Sequence, residues 1–287
     1  MFNLNRSQFI LGTTQFGKKY GVTNFTPKLS NKKILDLFLL AWKNQIQRFD
    51  TAPSYKTEKI LGEFIKAHGI QKEVKISTKI SSIKGKNLES FVRRSIEDSM
   101  KLLTTKIDTL FFHDPKDIEK LVKNKGFLNK IIKDYNLKNL GFSIYSSSEK
   151  KKISKLPFKP AIQYPISVAN QSFQHKNFGI NKNFARSIFL QGLLINSKFK
   201  KNNLPKRLIN SVQMYHHQLK LHNINAIELA LFYVSSIKNI DFFLVGVDNV
   251  DQLKKIIFCN INKVIDKKFI KKINLLFNQK DVDPRSW

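Results

Sequence analysis

Residues 74–79 read VKISTK, residues 88–103 read LESFVRRSIEDSMKLL, and residues 109–115 read TLFFHDP. The first and last are short apolar runs rich in β-branched and aromatic residues, each ending in polar ones. The middle segment carries Phe91, Ile96, Met100 and Leu103 near one face of a helix. Strand, amphipathic helix, strand is the pattern of a βαβ unit with parallel strands.

The same alternation extends both ways along the chain. Strands are expected at 9–11, 47–49, 74–78, 109–112, 139–142, 161–164, 184–189 and 242–245, with further helical patterns at 31–43 and 226–237. Ser30, Thr57, Ser146 to Ser148 and Asn249 stand at helix starts. The strands are continuous apolar runs, as in a parallel sheet buried on both faces. Eight of them with intervening helices in 287 residues fit a single-domain α/β protein, a (β/α)8 TIM barrel over 1–287. A doubly wound sheet is the rival, but no G-x-G-x-x-G follows the first strand. No repeat, composition shift or Pro/Ser-rich linker divides the chain, and NSKFKKNNLPK at 196–206 reads as a polar loop.

Hydrophobic residues make up 41% of the chain, including 24 Phe, which excludes disorder by low hydropathy. The single cysteine, Cys259, excludes an intramolecular disulfide framework and a Cys-rich zinc module, and suits a reducing cytoplasm. The start MFNLNRSQFI lacks the order of a signal peptide, and no apolar run approaches the roughly 20 residues that span a bilayer. A soluble cytoplasmic protein without a membrane partner is expected. His216, His217 and His222 lack the spacing for a shared metal. Against 21 Asp and Glu stand 51 Lys and Arg, a formal net charge of +30. That excess fits a nucleic-acid footprint, an attraction for anionic metabolites, or drift toward residues with A/T-rich codons. The lysines are dispersed, which favours drift over any specific nucleic-acid partner.

In a barrel of this kind, polar residues at the C-terminal ends of the strands face the site. Strand two ends in Asp50, with Tyr55 five residues on; strand three ends in Lys79; strand four leads into His113. A phenol is a reluctant acid at neutral pH, and a nearby ammonium strengthens it by stabilising the phenolate. Lys79 would supply that charge, Asp50 would hold Lys79, and His113 would donate a hydrogen bond to a carbonyl oxygen. Singly, each has a plain alternative as a cap, a solvated charge, a rim aromatic or a turn former. Together they suit proton delivery to a carbonyl that receives hydride.

At these residues the chain resembles the aldo-keto reductase family. The resemblance rests on Leu11-Gly12-Thr13-Thr14-Gln15-Phe16-Gly17, Phe49-Asp50-Thr51-Ala52-Pro53-Ser54-Tyr55, Ser77-Thr78-Lys79, Phe112-His113-Asp114-Pro115, Gly141-Phe142-Ser143, Gln163-Tyr164, Gln191-Gly192-Leu193-Leu194 and Val245-Gly246-Val247-Asp248. It implies a metal-free reductase using NADPH or NADH on a small carbonyl substrate, with Asp50, Tyr55, Lys79 and His113 catalytic. It further implies that Ser143 and Gln163 hold the nicotinamide carboxamide and that Gly12, Thr13 and Asp50 border that end. Ser187, Gln191, Gly192 and Leu193 would follow the pyrophosphate, and Gly246, Val247, Asp248 and Gln252 the adenosine. Arg186 stands where the family commonly has an aromatic that stacks on the nicotinamide, and Ile144 where it usually has Asn. Asp248 and Asp251 would oppose a 2′-phosphate that Lys254 and Lys255 would attract, so the choice between NADPH and NADH stays open.

The chain is also similar to a bacterial branch of that family found with surface-polysaccharide and nucleotide-sugar genes, through Tyr20-Gly21, Arg186-Ser187-Ile188-Phe189-Leu190-Gln191-Gly192 and the ending Asp283-Pro284-Arg285-Ser286-Trp287. That similarity implies a sugar-derived carbonyl, which Tyr55 and His113 would meet. Phe16, Tyr20 and Phe112 are candidates for its wall, with core packing the alternative for both Phe residues, and Trp287 would close over it unless the terminus is disordered. The alternative is a catalytically silent barrel that retains cofactor and serves as a sensor or assembly partner.

Overall fold

Successive side chains of a strand point to opposite faces, and in a closed parallel barrel those faces are the lumen and the helical jacket. The computed structural model describes residues 5–18, 20–25, 28–85, 87–174, 181–201, 204–259 and 265–287; Met1 to Leu4 of the N-terminus and Asn202 and Asn203 of the polar loop lie outside them. Its strands are β1 (Phe9–Gly12), β2 (Arg48–Asp50), β3 (Lys75–Ile80), β4 (Thr109–Phe112), β5 (Asn139–Ser143), β6 (Ala161–Pro165), β7 (Asn183–Arg186) and β8 (Phe242–Gly246). They pair in chain order, all parallel, and β8 closes onto β1. The expected TIM barrel is the observed fold.

Around it run α1 (Thr14–Gly17), α2 (Asn31–Lys43), α3 (Glu58–His68), α4 (Leu88–Leu103), α5 (Ile118–Lys123), α6 (Lys125–Asp134), α7 (Ser147–Ile153), α8 (Lys206–Leu221), α9 (Ala226–Ser235), α10 (Val250–Ile257) and α11 (Lys267–Leu275). Local chemistry sets their starts. The Ser30 hydroxyl accepts the Lys33 amide, Ser146 and Glu149 form a capping box, and Asn249 accepts the Gln252 amide. Thr57 precedes α3, but its hydroxyl is bonded to those of Thr13 and Thr51, at 2.8 and 3.0 Å, and caps nothing. The buried stripe of α4 is Leu88, Val92, Ile96, Ser99 and Leu103, with Phe91 and Met100 flanking it half-buried. Among the described residues no helix is long and apolar enough to cross a membrane.

Two apolar assemblies follow from the strand alternation. Outward residues such as Leu11, Phe49, Ile76, Phe112, Phe142 and Val245 pack against the helices in the main core. Inward residues Ile10, Phe111, Ala161 and Phe184, with Phe242 and Leu244, fill the lower lumen. There the Phe184 ring lies 5.1 Å from Phe111 and 4.9 Å from Phe242. The alternation continues upward and turns Gly12, Asp50, Lys79, Ser143, Gln163, Arg186 and Gly246 inward.

Several expected boundaries shift. β7 stops at Arg186, because Ser187 adopts φ 57° and turns the chain, so residues 187–189 are not strand. α9 ends at Ser235 rather than 237. The strands expected at 47–49 and 74–78 run on to Asp50 and Ile80, so Asp50 and Lys79 are strand residues of β2 and β3.

Gly17 closes α1 against the turn that carries Tyr55: a Cβ there would lie 1.7 Å from the Tyr55 carbonyl oxygen. Gly17→Ala is therefore expected to lower unfolding stability by about 1–3 kcal/mol in denaturant titration. Gly126→Ala, where nothing lies within 4 Å of the added carbon, is expected to be neutral or slightly stabilising. Equal behaviour of the two variants would refute the close approach.

Candidate functional site

The C-terminal ends of the strands surround a cleft of about 350 Å³. At its base Lys79 is buried and ion-paired to Asp50, and its ammonium also donates to the Thr51 carbonyl at 3.0 Å. Burial opposes the charge on Lys79, but Asp50 and Tyr55 together outweigh it and hold the ammonium above its ordinary range. The second Asp50 oxygen accepts from the Gln163 amide at 3.0 Å, across the barrel. The Tyr55 ring lies over Lys79, with the ammonium 5.1 Å from its centroid, and meets the His113 ring edge-on at 6.5 Å. Burial, with Lys79, Arg186 and Lys18 nearby, pushes His113 down to about 4, so its ring is neutral at physiological pH. The four residues expected to act together are brought together.

Behind them, between β3 and the helices α3 and α4, is a polar cluster that the sequence did not announce. Glu58 is buried at the start of α3, accepting from the Thr78 hydroxyl at 2.7 Å and the Ser99 hydroxyl at 3.3 Å. Burial raises its carboxyl, against those two bonds and the Lys79 charge. Its neighbour Thr57 ties together the hydroxyls of Thr13 and Thr51.

Of the residues expected at a cofactor, Gly12, Asp50, Gln163, Arg186, Ser187, Gln191, Gly192, Gly246, Asp248 and Gln252 line the cleft. Thr13, Ser143, Leu193 and Val247 are buried just beneath its wall. Ser143 is in register with Gln163, and its hydroxyl is buried without a hydrogen-bond partner. Ser187, Leu190, Gln191 and Gly192 all have positive φ, which curls the chain after β7 into a tight turn. Gly192 is required there: at φ 93°, a Cβ would lie 1.9 Å from the Thr23 hydroxyl oxygen. Gln252 accepts the Asp248 amide at 2.6 Å, and burial pushes the Asp248 carboxyl up to about 6. An orphaned serine hydroxyl beside an amide, with a cleft running from Tyr55 to Asp248, fits a group that carries a carboxamide at one end. Among the described residues no cluster of three His, Cys, Asp or Glu could hold a metal ion.

Of the residues expected around a substrate, Tyr20, Tyr55 and His113 line the cleft. Phe16 and Phe112 do not: Phe16 packs on Phe38 at 5.7 Å, and Phe112 points outward onto Phe142 at 5.5 Å. Trp287 folds back, its indole donating to the Asp281 carbonyl at 2.7 Å, and lies outside the lining. Tyr145, Gln15 and Lys18 do line it. Tyr145 could have been found by continuing the inward alternation two residues past Ser143.

A profile of the Aldo/keto reductase family matches residues 8–276. Among solved structures, the glycerol dehydrogenase AKR11B4 from Gluconobacter oxydans superposes with a TM-score of 0.69 at 17% identity, over 94% of this chain and 90% of that one. The aldo-keto reductase AKR11C1 from Bacillus halodurans, solved in its holo form, gives 0.74 at 16% identity, over 98% and 95%. At such identities the likeness is one of fold. A stretch of 133 residues is also 28% identical to glutamate–tRNA ligase 2 of Helicobacter pylori (strain HPAG1), covering 45% of this chain but only 30% of the ligase.

The two shifted groups have opposite effects on stability. His113 binds its proton near 4 when folded and near 6.5 when unfolded, so its contribution is complete above pH 6.5 and is lost as pH falls toward 4. Asp248, raised from 3.8 to about 6, adds stability over much the same fall in pH. Unfolding free energies of wild type and His113→Gln, measured from pH 7.5 to 4, should therefore separate the two. Wild type is expected to lose up to about 3 kcal/mol relative to the variant across that range. A pH-independent difference would mean that the ring titrates normally.

Proposed function

The chain belongs to the aldo-keto reductase family, NAD(P)-dependent oxidoreductases of small carbonyl compounds, and on that premise we propose that it reduces an aldehyde or ketone to an alcohol with Tyr55 as the proton donor. The observation that carries the reading is the buried Lys79–Asp50 pair beneath the Tyr55 ring. A fixed ammonium next to a phenol favours the phenolate that proton donation leaves behind. Asp50 keeps that ammonium charged and in place. His113, neutral and edge-on to Tyr55, has a ring N–H to offer the carbonyl oxygen on which negative charge develops.

When bound, a nicotinamide dinucleotide supplies the hydride. The chain's own part is to hold it and to exclude water from the base of the cleft. Ser143 and Gln163 are the residues for its carboxamide, which would satisfy the orphaned serine hydroxyl. The turn from Ser187 to Leu193 would hold its phosphates, and Gly246, Val247, Asp248 and Gln252 its adenosine end. A sugar-derived carbonyl is the substrate class that the similarity to the polysaccharide-associated branch favours. The silent-barrel alternative has no specific observation in its support, since a cofactor carrier has no use for a charged lysine under a tyrosine.

Tyr55→Phe is expected to lower turnover by a factor of 10² or more while leaving cofactor affinity within a few-fold; near-normal turnover would sink this mechanism. Lys79→Met should lower turnover and also move its pH dependence, and an unmoved profile would argue against coupling between Lys79 and Tyr55. Fluorescence titration with NADPH and with NADH tests the cofactor site. Asp248→Asn, by removing a carboxylate from the proposed adenosine end, should raise the NADPH:NADH affinity ratio several-fold. Failure of both nucleotides to bind at millimolar concentration would overturn the reductase reading.

A further inference from the structure

We infer that the compound reduced in this cleft carries a carboxylate or phosphate group, gripped by Arg186 and Lys18 beside Tyr55. The inference deepens the reductase reading and rests on it.

Arg186 ends β7 on the inward face and forms part of the cleft wall. Its guanidinium lies on the Tyr145 ring, 4.1 Å from the centroid, and is steadied by weak bonds to the Ile144 carbonyl at 3.3 Å and the Ser187 hydroxyl at 3.4 Å. Its Nε is buried and has no hydrogen-bond partner. The nearby acids form their ion pairs with other cations. Asp283 and Glu149 pair with Arg285, which covers the same Tyr145 ring at 3.9 Å, and Asp50 is taken by Lys79 and Gln163. The result is a half-buried guanidinium, fixed in orientation at the cleft wall, with its Nε cut off from water and no ion-pair partner of its own among the described residues.

A neutral ligand that displaced water from the cleft would leave that charge uncompensated and the buried Nε still without an acceptor, which is costly. A carboxylate or phosphate oxygen is the acceptor that suits a guanidinium fork. Lys18, exposed at the mouth of the same cleft, adds a second cation without an ion-pair partner among the described residues. Both cations lie close enough to depress His113, which places them at the Tyr55 end of the cleft rather than the Asp248 end. The site borders the turn at 187–193 proposed for the cofactor's phosphates, through the contact of Arg186 with the Ser187 hydroxyl, and lies on the Tyr55 side of it.

Two matched pairs of aldehydes test the inference in the presence of reduced cofactor: 4-oxobutanoate against butanal, and glyceraldehyde 3-phosphate against glyceraldehyde. In one pair at least, the anionic member is expected to have a kcat/KM about 100-fold higher at low salt, carried mainly by KM, and the pair that responds tells carboxylate from phosphate. Lys18→Gln, a change at an exposed position, should cut that ratio several-fold, and Arg186→Gln should bring it near one. Calorimetric titration of the cofactor-loaded enzyme with 4-hydroxybutanoate and with glycerol 3-phosphate reads the same site without turnover, and Arg186→Gln should weaken the tighter of the two at least tenfold. Reduction of neutral and anionic aldehydes at similar efficiency would overturn the anion site and leave the reductase standing. An Arg186→Gln variant that loses cofactor affinity but keeps the substrate ratio would overturn it too. Anion binding lost in Arg186→Gln, with none of the four aldehydes reduced, would support the site and count against the reductase.

Discussion

A protonated lysine sealed inside the barrel constrains everything above the lower lumen. Only 2% of the Lys79 side chain is exposed, and a cation taken that far from water costs several kcal/mol unless its charge is met and its donors are filled. Asp50 meets the charge and the Thr51 carbonyl fills a donor, so the end of β2 and the segment after it must stay beside β3. Asp50 in turn needs a partner for its other oxygen, and Gln163 provides it from β6. The pair thus spans the barrel. Removing either member would strand the other as a buried charge, so the polar web from Thr13 through Thr57 to Glu58 can be understood as the scaffold that keeps the segment carrying Tyr55 over the ammonium.

The same pair explains which parts of the fold were legible. Helices α2 and α4 lie where their apolar periodicity placed them, because that periodicity is the packing. Strands were legible as apolar runs, yet most were cut short at their C-terminal ends: Gly12, Asp50, Lys79, Ser143 and Gly246 are strand residues that look like loop residues. A barrel tolerates them because its upper lumen is a site rather than a core. Hydropathy therefore fails where the function begins. In β7 the error runs the other way, since Ile188 and Phe189 are apolar but belong to a turn whose left-handed residues leave no hydropathic mark.

Alternation resolves what hydropathy could not. Phe112 sits between Phe111, which fills the lumen, and His113, which faces the cleft, and so it must point at the helices. The aromatic character that made it attractive as a substrate wall is what the main core uses. Phe16 has the same explanation one layer out, beneath α2. Tyr145 and Glu58 escaped notice for different reasons. Tyr145 acts through the two guanidiniums that sandwich it, one of them contributed from the C-terminal end of the sequence. Glu58 is read locally as a first-turn acid favourable to α3, and only the barrel's closure shows that it is buried against Thr78 and Ser99.

Charge illustrates the limit of composition most directly. With 51 basic residues against 21 acidic ones, cations without partners are unavoidable, and at the surface they are solvated and worth little. Their number therefore says nothing about any one of them. Arg186 is different because acids do lie nearby and are bound to other cations, and because its Nε is withdrawn from the water that would otherwise serve it. Position, rather than the net excess of +30, is what gives that one positive charge a chemical consequence.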